Sequence, residues 1–551
     1  IPSRGRRNRE TDGPLARALA GNAEDVHNRM RFDGMGTNVT VEKNRKMTLR
    51  RFCAVALLLG SGLSAEAQSF PVLRWQKFYG SEVNDVPARI LKVPDGNLYI
   101  GGSRGTAQGG NDIWVGKVDT NGLLLWDRTL GGNGSDELRD MVVTPDSGLI
   151  FVGTSNSFIE HPEKGQAEYQ GDYIMGKISK AGGIEWVKSY GGPELDQAFC
   201  IAKSRAWPEY VVGGLSNSRA LDVQTELPLA NLWAVKIGDA GEKRTAWTFG
   251  GKGHDWAYGI APCKDGDYVV AGFTGSEDID GSESRQNGDG WVARIDRYGA
   301  VEWQRIYSGK LEDYFVKVLE DREGHIVVIG NFESDENGKQ FWFLKLTPQG
   351  KKICERIFGD DADEYATSII ETADRSFLMT GYSKSIPLVN KHIKGGEDLW
   401  VFKLDAKGEV LWANTYGGRD NERGVDVLEY REGVYYVLGV KQNNFEKAGT
   451  VDRGNDFWLL RIDEQACDDI DIQVYLSAQD YTAYVKKGFK LKCLTDLGDR
   501  FLWEFGDGTT STDKEPVKAY DTPGVYAIRV TVFIADNCYK TYMLPEYLTV
   551  R

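Results

Sequence analysis

Histidine is scarce in this chain. The 551 residues hold five, and the four after residue 67 (His161, His254, His325 and His392) share no spacing. Chemistry that needs several imidazoles together has little to draw on, so each reads as a surface residue. There is no G-x-S-x-G elbow, no H-E-x-x-H and no P-loop, which removes the sequence signatures of α/β-hydrolases, zincins and P-loop NTPases. Cysteine is sparse, with seven residues and no CxxC pair, and that argues against a zinc site. A long apolar run is missing too. The best, Phe52 to Leu59, is too short to cross a bilayer. Positive charge is in deficit, with a net of −14 at pH 7. Such a surface repels nucleic acid and anionic membranes and favours solubility.

What is present begins with a leader pattern. From Met47 the sequence "MTLRRFCAVALLLGSGLSAEAQ" has basic Arg50 and Arg51, the short apolar run, and Ala65-Glu66-Ala67 before Gln68. This is the pattern of a secretory signal peptide over 47–67. Residues 1–46 are unpatterned and read as an upstream extension without a fold. The expectation is export to the periplasm, the outer membrane or the outside of the cell, where the six remaining cysteines can oxidise.

From residue 68 the chain repeats itself. "FYGSEVNDVP", "TLGGNGSDEL", "SYGGPELDQA", "TFGGKGHDWA", "IYSGKLEDYF", "IFGDDADEYA" and "TYGGRDNERG" recur, anchored on Tyr79, Leu130, Tyr190, Phe249, Tyr307, Phe358 and Tyr416. A second phrase keeps step with them, as in "NDIWVGKVD" and "EDLWVFKLD", with a key column of Trp114, Ile174, Trp233, Trp291, Trp342, Trp400 and Trp458. Self-similarity at this period marks a propeller or solenoid. Each unit reads as four short strands, a to d, joined by turns such as Asn121-Gly122 and Lys407-Gly408, whose glycines supply positive φ. Strand d carries Trp75, Trp126, Trp186, Trp303 and Trp412, with Thr245 and Cys354 as exceptions. Trp247 stands two residues after Thr245, hence on the same face. These tryptophans read as inter-sheet packing. Strand d appears first at Trp75 and is missing after the last a–b–c set. The N-terminal strand is therefore expected to complete the last blade. The fold expected is all-β: a seven-bladed β-propeller over 68–466, closed by that strand. The paired phrases resemble the secreted β-propellers of Bacteroidota-type surface proteins, with "W…YGG…D" and "D-x-W-V-x-K-L-D" repeats.

Topology puts the d–a phrase and the b–c loop at one end of every blade. The b–c loops at 157–171, 219–230, 276–288, 385–396 and 443–454 are long and unlike one another, and variable loops on a rigid scaffold are where binding usually lives. Six residues after each anchor stands a carboxylate: Asp85, Asp136, Asp196, Asp255, Asp313, Glu364 and Glu422. The column reads as a turn residue that accepts backbone N–H bonds and locks neighbouring blades, with a cation site at the channel mouth as the sharper alternative. Asp278 and Asp280 precede Gly281 and offer calcium two carboxylates, in a loop shorter than an EF-hand and without its terminal Glu. No other cofactor is expected.

After Cys467 the rhythm changes. Trp503-Glu504-Phe505-Gly506-Asp507-Gly508, then Ser511, Pro516, Tyr520, Gly524 and Tyr526, then the alternating "YAIRVTVFI", resemble the PKD domain. The resemblance implies an Ig-like β-sandwich over 467–551, of a kind used as spacer or as carbohydrate or protein contact on exported proteins. Trp503 reads as core, Asp507-Gly508 as a tight turn, and Val530, Val532 and Ile534 as one buried face. Cys493 and Cys538 are a candidate disulfide, with Cys467 as competing partner.

An active site usually breaks repeat symmetry, whereas the acidic column is kept in every repeat. The expectation is a non-catalytic binding or adhesion protein of the cell envelope, its partner a glycan or a surface protein. A scaffold subunit of an envelope secretion or motility machine comes second. A polysaccharide lyase or glycoside hydrolase comes third, since a carboxylate pair is always available in so acidic a chain.

Overall fold

The computed structural model describes the chain from Ser69 to Arg551, apart from residues 82, 108–109, 158–170, 206–207, 221, 224, 226, 228, 280–287, 310, 335–337, 360–361, 385–395, 448–449, 467–471, 479–480, 496–497, 499, 536–537 and 545–546. The leader pattern, Asp280, Cys467 and most of the loops 157–171, 276–288 and 385–396 lie outside the described residues.

The described chain is all-β. Between residues 69 and 466 it forms repeated four-stranded antiparallel sheets. Six of them are built from four consecutive strands, the first being Asp85–Lys92, Leu98–Gly105, Asn111–Val118 and Leu124–Leu130. In the seventh, Glu422–Arg431, Val434–Lys447 and Thr450–Ala466 are followed by the N-terminal strand Ser69–Tyr79, which pairs with Thr450–Ala466 from Ser69↔Ala466 to Tyr79↔Phe457. The first strand of each sheet touches the first strands of the sheets before and after it, and Glu422–Arg431 touches Asp85–Lys92. The sheets are the blades of a β-propeller, with the first strands lining its centre.

The repeated words hold neighbouring sheets together. Trp114, Trp233, Trp291, Trp342, Trp400 and Trp458 of the third strands are buried, each burial stabilising by roughly 2–3 kcal/mol. The fourth-strand tryptophans reach the next sheet's turn: Trp186 Nε1 donates to the Asp239 carbonyl at 3.1 Å and Trp303 Nε1 to the Pro348 carbonyl at 3.0 Å. The anchor tyrosines do the same, Tyr79 to the Gly122 carbonyl at 2.7 Å and Tyr307 to the Gly350 carbonyl at 2.6 Å. Trp247 fills the place that Thr245 leaves, lying where a Cβ on Gly299 would stand 2.1 Å from its Nε1. The phrase glycine has its own reason. A Cβ on Gly131 would stand 1.8 Å from Asp112 Oδ1, and one on Gly417 1.9 Å from Asp398 Oδ1. The Asp of the D-x-W phrase and the Gly of the Tyr-Gly-Gly phrase are thus two halves of one contact.

One expected loop is not a loop. Residues 443–447 and 450–454 continue a ladder between Val434–Lys447 and Thr450–Ala466, with pairs from Val434↔Asp463 to Lys447↔Thr450. The inward-facing backbone groups of this extension pair across the ladder, which leaves the outward-facing ones to other partners.

The C-terminal sandwich packs Val474–Leu476, Phe489–Cys493 and Val517–Lys518 in one sheet, and Thr510–Ser511, Arg500–Glu504, Arg529–Ala535 and Cys538–Met543 in another. Trp503, Val530 and Val532 are buried in its core, and Ile534 packs against them half-buried. Thr509 N–H donates to Asp507 Oδ1 at 3.0 Å, closing the Asp507-Gly508 turn. Cys493 is a free, buried thiol, against the expected bridge to Cys538. The two residues belong to strands of different sheets, and the side chain of Cys538 lies outside the described residues.

The two domains share a residue. Phe70, on the propeller's N-terminal strand, is 2% exposed and belongs to the sandwich's core cluster, with Val72 packed against it. The start of that strand therefore serves both domains. Replacing Phe70 by Ala should cost about 3–5 kcal/mol, read as a lower denaturant midpoint for the sandwich. An unchanged midpoint would remove Phe70 from that core.

Candidate functional site

The site grows from the acidic column. All seven carboxylates are buried, at 0–1% exposure, at the start of the first strands. In the second sheet Gly132 N–H donates to Asp136 Oδ2 at 2.9 Å, the Ser157 hydroxyl to the same oxygen at 2.6 Å, and the Ser155 hydroxyl to Oδ1. The third sheet repeats this on Asp196 with Gly192 at 2.7 Å, Ser218 at 2.9 Å and Ser216. The fourth repeats it on Asp255 with Gly251 and Ser276, both at 2.7 Å, and Thr274. In the sixth, Ser383 donates to Glu364 at 3.0 Å. Elsewhere the donor set changes. Lys441 Nζ lies 2.7 Å from Glu422, Arg104 Nε lies 3.9 Å from Asp85, and Glu333 N–H donates to Asp313 at 2.9 Å. Burial pushes Asp85, Asp196 and Asp313 up to about 6, against the hydrogen bonds that favour their charged forms. These carboxylates pin the phrase that links one sheet to the next.

The other sequence candidates stand apart from one another. Asp278 Oδ1 accepts Lys252 N–H at 2.9 Å, fixing the fourth phrase. Asp321, Glu323 and His325 meet on the a–b turn of the fifth sheet, but Lys345 Nζ lies 2.9 Å from Asp321 Oδ2 and gives that cluster its cation.

Next to each pinned carboxylate, one residue of the first strand stands at the rim of the loop-bearing end. These rim residues are Val86, Glu137, Gln197, Trp256, Tyr314, Tyr365 and Arg423. Each first strand then carries a bulge, for example between Leu138 and Asp140 or between Ala257 and Gly259, which re-aims the side chains that follow. From the third sheet to the sixth, each first strand places at least one aromatic residue at the rim or just below it: Phe199, Trp256 with Tyr258, Tyr314 and Tyr365. Phe199 and Tyr258 have ring centroids 5.2 Å apart, Trp256 and Tyr258 6.3 Å, and Tyr258 and Tyr314 6.1 Å. Tyr365 stacks on Tyr382 at 4.8 Å. Opposite stand Glu137 and Arg139, paired at 2.6 Å. Burial raises the hydroxyl of Tyr258, and Arg139 acts against that rise. The b–c loops begin at this same end, since Asp136 pairs with Ser155, just before the second of them. A cavity of about 430 Å³, lined by Glu194, Asn217, Arg219, Leu229 and His254 among others, opens on the same end. His254 touches Trp256, at 6.4 Å between ring centroids.

Deeper in the channel lies a charged layer that repeat reading overlooked. Arg89 lies 2.9 Å from Asp140 and 3.0 Å from Asp426. Both carboxylates also take backbone amides, Ile201 on Asp140 and Ile90 on Asp426, each at 3.0 Å. Ser368 donates to Asp426 at 2.6 Å. Burial and the Arg89 charge lower the Lys317 ammonium, and burial raises the Cys200 thiol. The signal was available in the sequence: four residues beyond the acidic column stand Arg89, Asp140, Cys200, Gly259, Lys317, Ser368 and Asp426, with no shared chemistry.

Residues 495–541 match the family model for the PKD domain. The C-terminal sandwich is a PKD domain. No curated protein matches the chain by sequence. Among solved structures, the chain is similar to a protein of unknown function from Dyadobacter fermentans, with 11% identity, 72% of this chain and 99% of that one covered, and a TM-score of 0.40. It is similar to the Pan2 WD40 domain of Neurospora crassa, with 10% identity, 72% and 96% coverage and a TM-score of 0.42. It is also similar to the PQQ-bound aldose sugar dehydrogenase of Streptomyces coelicolor, with 11% identity, 73% and 99% coverage and a TM-score of 0.33. No helix among the described residues is long and apolar enough to cross a membrane.

Two outcomes follow from the carboxylates. Asp196 is raised on folding, so the folded state holds its proton better than the unfolded chain does. Its contribution is fully present below about pH 4 and is lost as the pH rises through about 6. The stability difference between wild type and Asp196→Asn should therefore move against wild type over that window, by ~3 kcal/mol at most. A pH-independent difference, measured by urea unfolding, would contradict the burial assigned to it. Arg89→Met removes the cation paired with both buried carboxylates, leaving only Lys317 in the layer, and should destabilise by about 3–5 kcal/mol, measured the same way.

Proposed function

We propose that this is an exported, non-catalytic binding protein of the cell envelope, whose loop-bearing propeller face takes a glycan or a surface protein. In this reading the sheets are seven blades of one ring, closed by the N-terminal strand, and the repeat is of the Bacteroidota surface-protein class. One observation carries the proposal: the loop-bearing end surrounds a channel mouth that is aromatic on one side and charged on the other. Pockets that combine apolar walls with a few placed polar groups are the common form of ligand sites. The PKD domain supports it from the other end. Through Phe70 it packs where the N-terminal strand begins, which leaves the loop-bearing face open, and it acts as a fixed spacer.

A scaffold role in an envelope machine is the second reading. The ladder that extends the seventh sheet through 442–447 and 450–455 favours it, because a two-stranded extension keeps unpaired edges that another chain can join.

The test is binding of the purified protein to a glycan array, beside retention of proteins from detergent-solubilised envelope of its own cells. The expected result is saturable glycan binding that is lost when the loops at 219–230 and 385–396 are shortened. One envelope protein retained with no glycan signal would replace this reading by the scaffold. Turnover of a polysaccharide would overturn both.

A further inference from the structure

Several tyrosines between the sheets donate to the protein: Tyr79 to the Gly122 carbonyl, Tyr99 to Ser147, Tyr173 to Trp233 and Tyr436 to Thr120, all at 2.7–2.9 Å, although the anchor Tyr416 hydroxyl is buried without a partner. Four at the channel mouth behave differently. Tyr258, Tyr314 and Tyr382 are 8%, 1% and 4% exposed, and Tyr365 is half-buried. Their hydroxyls have no hydrogen-bond partner among the described residues. They also converge: the hydroxyls of Tyr258, Tyr365 and Tyr382 all act electrostatically on that of Tyr314. Trp256 Nε1 and Arg139 Nε, near the same mouth, are buried without an acceptor, whereas the four hydroxyls keep contact with solvent. The hydroxyls are therefore open to a partner from solution, and the two buried N–H groups beside them lack the partner that buried polar groups nearly always have.

The rings around these groups add the shape. Trp256 lies with one face on Phe273, at 4.9 Å and 25° between planes. Tyr365 lies likewise on Tyr382 at 21°. Phe199, Trp256 and Tyr365 are half-buried, so each keeps aromatic surface toward the mouth. We propose that this cup holds one pyranose ring, the terminal residue of a glycan. A pyranose has an apolar face of C–H groups that suits an aromatic wall, and a rim of hydroxyls that can both donate and accept. That rim fits the unpaired hydroxyls of Tyr258, Tyr314 and Tyr365, the Trp256 N–H and the amide of Gln197. An organic cation fits less well, because Lys339 already lies 5.2 Å over the Tyr314 ring and Arg423 5.0 Å over the Tyr382 ring. The inference rests on the binding reading above and names its ligand class and its contact residues.

The experiment is ligand-observed saturation-transfer NMR on the purified protein with free glucose, galactose, mannose and N-acetylglucosamine. The variants are Tyr258→Phe, Tyr314→Phe, Tyr365→Phe and Trp256→Ala. At least one sugar is expected to give saturable transfer. Each Tyr→Phe change should weaken it about 3- to 10-fold while leaving Tm unchanged, because the lost hydroxyl bonds nothing in the protein. Trp256→Ala should weaken it further. No transfer from any of the four sugars, or variants that bind like wild type, would overturn the cup. If the Tyr→Phe variants keep full glycan-array binding while loop shortening removes it, the cup fails and the broader binding reading stands. If neither array nor envelope gives a signal, the broader reading fails with it.

Discussion

One buried carboxylate per sheet organises this molecule. It sits at the first residue of the strand nearest the axis, or just before it, where the chain has crossed from one sheet to the next. In most sheets it takes an amide of the crossing phrase and a hydroxyl or cation from the second strand. A buried carboxylate without donors would cost several kcal/mol, so the crossing phrase must adopt the one shape that supplies them. That shape fixes where the b–c loop leaves the sheet. It also fixes the position of the rim residue that follows. The rim of the channel mouth is in this sense a by-product of the lock beside it.

The lock and the rim are under different demands. Ser155, Ser216, Thr274 and Ser383 pair opposite their carboxylates and repeat one chemistry. The rim does not repeat: Glu137, Gln197, Trp256 and Tyr314 succeed one another around it. The deeper layer of Arg89, Asp140, Lys317 and Asp426 does not repeat either. Packing needs the same solution at every sheet, whereas a ligand contacts each sheet once. Departures from the repeat are therefore where function is to be sought, and the aromatic sector is the largest of them at the loop-bearing end.

Much of the fold was legible in the sequence because its signals repeat. The Trp and Tyr-Gly-Gly columns gave the strands, their order and the place of the N-terminal strand beside the last three. The substitution of Trp247 for Thr245 could be read from the period of a strand alone. The acidic column was visible for the same reason. Three things were not legible. The contact between Asp112 and Gly131 joins two phrases whose meeting depends on sheet register. Phe70 lies near the start of a propeller strand, and nothing local says that it belongs to another domain. The mouth itself stayed hidden because Trp256, Tyr314 and Tyr365 share a column, one residue after the carboxylate, that in the other repeats holds Val86, Glu137, Gln197 and Arg423 and so shows no common chemistry. Only the ring arrangement brings them together.

The central claim is that the loop-bearing channel mouth is the working surface. Hydrogen–deuterium exchange of the whole protein, with and without a saturating soluble glycan mixture, tests it most directly. The account predicts added protection at the starts of the first strands, around 197–199, 256–258, 314–316 and 365–367, with the c–d turns unchanged. Protection confined to the c–d turns, or to the PKD domain, would contradict it.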